Sequence, residues 1–132
     1  MDVVGLPPGM TVELSRGTVL EGRSEEADSW MAMLQERHAE CVAGLDRERM
    51  AVEVVFRTKE PDGTEHLWWF SLKGDQGAGL EDSPFPIDAD HEAQARRTKE
   101  RGWMEAEPQV VFLPEPVRAA VEAWAVRATD PA

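Results

Sequence analysis

The sequence predicts an α+β domain, a four-stranded antiparallel sheet with helices on one face. Three observations carry that prediction. A hairpin pattern runs from Met50 to Leu72, helical-period stripes flank it on both sides, and a strand pattern precedes the first helix and follows the second. The 132 residues suit one domain with a real core.

Thr11 to Leu20 reads as the first strand, with Val12, Leu14 and Val19 apolar and Gly17 as a bulge position. Ser24 opens a helix whose first turn holds Glu25 and Glu26, where acidic side chains suit the helix dipole. Trp30, Met33, Leu34, Arg37, Cys41 and Leu45 share one face of it, and Gly44 or the residues just after end it. The hairpin follows, with strands Ala51–Arg57 and His66–Leu72 around the turn Glu60-Pro61-Asp62-Gly63-Thr64. Alternate residues of a strand face opposite sides, so Trp68 and Phe70 point one way while Leu67 and Trp69 point the other. Both sides of this hairpin are therefore largely apolar and both want cover.

A breaker-rich connection with Gly74, Gly77, Gly79, Pro84 and Pro86 comes next, with one short helical turn expected around Gln76 to Leu80. From Asp88 to about Gly102 the pattern is helical, with Ile87, His91, Ala95, Thr98 and Gly102 along one face. A last strand is expected over Trp103 to Leu113, where Pro108 confines part of it to an edge or bend. Glu115-Pro116 starts a closing helix with Val117, Ala120, Val121 and Trp124 as its buried stripe. The order strand, helix, strand, strand, helix, strand is the plan of ferredoxin-like domains. The domain is expected over residues 10–127, between an N-terminal arm (residues 1–9) and a C-terminal tail (residues 128–132).

Charge and composition narrow the function classes. Acidic residues outnumber basic ones by 26 to 14, a net charge of −12, which repels phosphate backbones and anionic lipid. Neither nucleic acid nor a membrane is expected as a partner, although Arg96, Arg97, Lys99 and Arg101 form a local basic run. No apolar run approaches the roughly 18 residues that span a bilayer, and the N-terminal residues lack the pattern of a secretory leader. The single Cys41 makes no intrachain disulfide, and the cytoplasm is the expected location.

Val52-Glu53-Val54-Val55-Phe56, the Gly63 turn, Leu67-Trp68-Trp69-Phe70 and Pro86-Ile87-Asp88-Ala89-Asp90-His91 together resemble an uncharacterised bacterial family of the dimeric α/β barrel superfamily. The resemblance covers roughly Thr11 to Leu113. It implies a domain of unknown function, a homodimer built sheet to sheet, and a cavity within it. The superfamily includes cofactor-free monooxygenases that oxidise polyketides and sugar mutarotases. No motif of theirs is present to map catalytic residues from, and fold alone transfers no function.

Asp88 and His91, one helical turn apart, are the candidate catalytic pair, with His91 moving a proton while Asp88 steers it. The competing reading has Asp88 capping helix amides and His91 packed and bonded to a carbonyl. Glu53 and Arg57 share one side of their strand and, with His66, are candidate ligand-binding groups; Arg57 would hold a developing anion. A surface or intersubunit ion pair is the alternative. Trp68 and Phe85 are candidate aromatic walls for a planar ligand, or else core. Asp88, Asp90, His91 and Glu92, with His38 and His66 as further ligands, lack metal-site spacing, so no metal and no cofactor is expected and a metal-dependent site is the third reading. The function expected is a homodimer that binds a small organic ligand, in catalytic form a cofactor-independent isomerase, cyclase or monooxygenase. The alternative is a non-catalytic dimerisation or interaction module.

Overall fold

The computed structural model describes residues 2–78 and 83–127. Among them the chain forms β1 (Met10–Thr18), α1 (Ser24–Glu36), α2 (His38–Glu48), β2 (Met50–Lys59), β3 (Glu65–Gly74), α3 (Pro86–Thr98), β4 (Met104–Glu105) and α4 (Glu115–Arg127). The sheet order is β2-β3-β1-β4, every pair antiparallel, which is consistent with the ferredoxin-like plan. The expected tail at 128–132 and part of the expected turn at 76–80 fall outside the described residues.

The hairpin forms as its turn chemistry requires. Gly63 has φ +91°, a left-handed value that a side chain resists, and Asp62 Oδ1 accepts from the Thr64 amide at 2.9 Å. β3 is then the centre of the sheet, paired with β2 on one side and β1 on the other. Leu67 and Trp69 face α1 and α3, where Trp30 and Ala27 are fully buried against Leu67 with Ala95 alongside. Burying an aromatic and a leucine of this kind contributes about 2–3 kcal/mol each.

Several expectations are corrected. Gly17 is not a bulge, for β1 keeps unbroken register with β3 through Gly17↔Leu67. A side chain there would strike Lys99 Cε at 2.7 Å and Trp103 at 3.0 Å, so the glycine makes room for those residues to cross β1. The irregular step lies instead between Met50 and Val52 on β2.

The first helix is two helices, broken at Arg37. No glycine or proline marks the break; the bend is held by the Arg37 guanidinium, which reaches Glu40 at 2.6 Å and Asp90 on α3 at 2.6 Å. Gly44 is buried inside α2, which ends at Arg49 in the left-handed region (φ 53°).

β4 is only two residues long, and the rest of the expected strand makes no ladder, meeting β1 once more through Ala106 N–H to Leu14 O at 2.9 Å and the arm through Val110. α4 buries Val121 and Ala125 but leaves Val117 and Ala120 exposed.

α4 also sits on the sheet face opposite α1 and α3. With Leu6 of the arm it covers Met10, Leu72, Val12 and Ala51. The arm itself is docked: Pro7 is buried and Val4 pairs in parallel with Val110. The remainder of that face is open. Val52, Val54 and Phe56 lie there in register with Leu72, Phe70 and Trp68, and Phe56 is 52% exposed.

Candidate functional site

Where α2 bends away from α1, a cleft of about 220 Å³ opens between the helices and the sheet. Leu34, Val42, Leu45, Val55, Ile87 and Trp69 supply its apolar lining. Its polar lining comes from Glu48, Glu53, Asp88, His38, His91 and Cys41. α2 contributes through a stripe at helical spacing (His38, Cys41, Leu45, Glu48), β2 through the alternation that turns Glu53 and Val55 to the same side.

His91 is the best-defined group. The Trp30 indole N–H donates to His91 Nδ1 at 2.9 Å, and the imidazole packs against Trp30 and Trp69 with ring centroids 5.3 and 5.4 Å away. Burial holds its pKa below the ordinary histidine value, against the pull of Asp88 and Glu92. An indole N–H can only donate, so Nδ1 keeps its lone pair and the ring proton of neutral His91 sits on Nε2. The Nδ1 lone pair is thus engaged, and His91 presents a donor rather than a base.

Among the described residues no Lys or Arg lines the cleft beside these carboxylates. Burial first, then Glu53 and Asp88, push Glu48 up to about 7. Burial and Asp88 likewise raise Glu53, with Lys73 opposing. Lys73 itself pairs with Glu13 at 3.0 Å. Cys41 is pushed up by burial and by Glu53, which keeps it a thiol of low reactivity. Asp88 accepts from the Ser83 hydroxyl, and Ser83 Oγ in turn accepts the Phe85 amide, so Asp88 also helps shape the start of α3.

Of the residues singled out in the sequence, the structure brings Asp88, His91 and Glu53 together and separates the others from them. Arg57 shares Glu53's side of the strand, but its fork is engaged by Glu65 (2.7 Å), Asp28 (2.5 Å) and Ser24 Oγ (3.1 Å), outside the cleft. It holds no anion in the cleft; the ion-pair alternative describes it. His66 and Trp68 lie on the opposite sheet face, 6.0 Å apart, with Trp68 Nε1 donating to Thr58 Oγ1 at 2.7 Å. Phe85 precedes α3 and packs toward Gly44 rather than lining the cleft.

Glu48, His38, Trp69 and Trp30 complete the site beyond the candidates chosen from sequence. Glu48 had a signal: it continues the apolar stripe of Leu34, Cys41 and Leu45, and a carboxylate on such a stripe is out of place in a simple core. Among the described residues no three His, Cys, Asp or Glu side chains converge to hold a metal ion. Nor is any described helix long and apolar enough to cross a membrane.

The model of a family of unknown function (DUF6176) matches residues 10–119, and the chain belongs to that family. No curated protein and no solved structure matches it.

Proposed function

We propose that this member of DUF6176 is a small-molecule-binding protein of the dimeric α/β barrel type, from a bacterium and working in the cytoplasm. The ligand occupies the cleft between α1, α2, α3 and the sheet, and a second copy of the chain covers the open part of the opposite face. One observation carries the reading. An apolar cleft walled by Trp69 gathers a fixed imidazole donor and three carboxylates, the pairing of grease with a few convergent polar groups that binding sites share. A carboxylate cluster with no Lys or Arg among the described lining residues, set in a low-dielectric wall, disfavours anionic ligands and admits neutral or cationic ones.

In the catalytic form of this reading the protein is a cofactor-independent enzyme of isomerase or cyclase type. Asp88 and His91 remain the acting pair, Asp88 as acceptor and His91 as donor, while Glu48 holds the exchangeable proton near neutral pH. A non-catalytic interaction module is the second reading, and the exposed Val52, Val54 and Phe56 favour it.

Thermal-shift measurements with sets of neutral, cationic and anionic small molecules test the proposal. Neutral or cationic compounds should raise the melting temperature of the wild type and lose that effect in Trp69→Ala. Stabilisation by anions alone, or by no class of compound, would remove the cleft reading.

A further inference from the structure

The cleft's polar lining contains a hydrogen bond already spent and one still on offer. The spent one joins Trp30 Nε1–H to His91 Nδ1 at 2.9 Å. Trp30 is 0% exposed, so water does not compete for that bond. The indole has no acceptor, and His91 satisfies it only with Nδ1 unprotonated. The imidazole also packs against both Trp30 and Trp69, at 5.3 and 5.4 Å between centroids, the two indoles themselves being 5.1 Å apart. Its tautomer and its direction are therefore both set, and the group on offer is Nε2–H. The same cleft holds carboxylate acceptors, with no Lys or Arg among the described lining residues.

Resting on the reading of this cleft as a ligand site, we propose that it selects uncharged molecules carrying a carbonyl acceptor beside an N–H donor on one small planar frame, a lactam or cyclic ureide. The carbonyl accepts from His91 Nε2–H, the N–H donates to a carboxylate of the Glu48, Glu53 and Asp88 set, and the flat body lies beside Trp69. A carboxylic acid or phosphate meets the carboxylates of Glu53 and Asp88, with no Lys or Arg among the described lining residues to receive it. A simple amine satisfies a carboxylate but leaves the imidazole donor without its acceptor, a loss of the kind that dominates discrimination at polar sites. Trp30 is a positioning residue here, acting on the ligand only through the tautomer it imposes on His91.

The test uses the full chain with nitrogen-15 labelling and three small probes: 2-pyrrolidone, acetate and n-butylammonium. The imidazole spectrum at neutral pH should show His91 neutral with its proton on Nε2. 2-Pyrrolidone should move the His91 Nε2 and Trp69 signals; acetate should move neither, and n-butylammonium should leave Nε2 in place. His91→Leu should weaken 2-pyrrolidone binding about three- to tenfold, the worth of one neutral hydrogen bond. His91→Gln, whose amide can accept from Trp30 and donate to the probe, should restore most of it. A purely structural histidine would make those two variants equal, which overturns the proposal.

Trp30→Phe should let the Nδ1 and Nε2 tautomers mix and weaken the lactam to the same degree. Should that variant not fold, the wild-type tautomer and the paired His91 variants still decide. His91 protonated on Nδ1, or acetate or n-butylammonium shifting cleft signals where 2-pyrrolidone does not, overturns the lactam proposal while leaving the cleft a ligand site. Silence from all three probes takes down the cleft reading and this proposal together.

Discussion

Glu48 shows how one side chain reports on the whole cleft. Its folded-state pKa of about 7 lies above the ordinary 4.5, so the folded protein binds that proton more tightly than the unfolded chain does. The stabilisation this gives is complete below about pH 4.5 and is lost as pH rises through about 7. Glu53 shifts in the same direction. Glu48→Gln should therefore match the wild type near pH 4.5 and exceed it at pH 8 by on the order of 1 kcal/mol, a figure reduced for the water that reaches the cleft. Urea unfolding at the two pH values checks this, and a pH-independent difference would refute it. The same residue marks what local pattern could and could not reveal. Asp88, His91 and Glu53 were legible because a carboxylate or imidazole on an apolar face needs a reason. Arg57 looked equivalent, yet its partners Asp28 and Glu65 come from α1 and β3, and only tertiary structure shows the fork already engaged. Trp30 looked like packing alone, since the direction of an indole N–H is not written in spacing.

At the level of elements, the hairpin was the most legible part, because period-two alternation and the Pro61-Asp62-Gly63 turn agree with each other. The division of the first helix was hidden, since the contact that bends it, Arg37 to Asp90, spans from the α1–α2 junction to α3. The closing segment misled for a different reason: 103–113 has strand-like composition, but only Met104 and Glu105 find ladder partners on β1, and the chain then turns to meet the arm. That arm is a structural element in its own right. Gly5 has φ +87°, and a Cβ there would lie 1.8 Å from the Val111 carbonyl oxygen. Gly5→Ala should accordingly cost about 2–3 kcal/mol by strain and loss of the arm's docking. Equilibrium denaturation measures it, and a loss below about 0.5 kcal/mol, within the range of ordinary surface substitutions, would show that the arm contributes little.

For the whole molecule, the two apolar sides of the sheet were legible, but their cover was not. Part of the second side is closed by α4 and the arm of the same chain, leaving Val52, Val54 and Phe56 exposed. If two copies meet there, each brings a charge of −12, so association works against long-range repulsion. Light scattering should then find a dimer that tightens as salt rises from about 0.05 to about 0.5 M, and Phe56→Asp should yield a monomer. A wild type that is monomeric at every salt concentration would dismiss the partner copy and leave the cleft untouched. The pairing of Val4 with Val110, about a hundred residues downstream, bears on how the chain matures. On the ribosome, the opening segment emerges long before the stretch it must clasp, so β1 and Leu72 wait with their outer side wet until α4 has been synthesised. Assembly of that face is thereby deferred until α4 has been made, and a chain halted before α4 would expose to chaperones and proteases a surface that α4 covers.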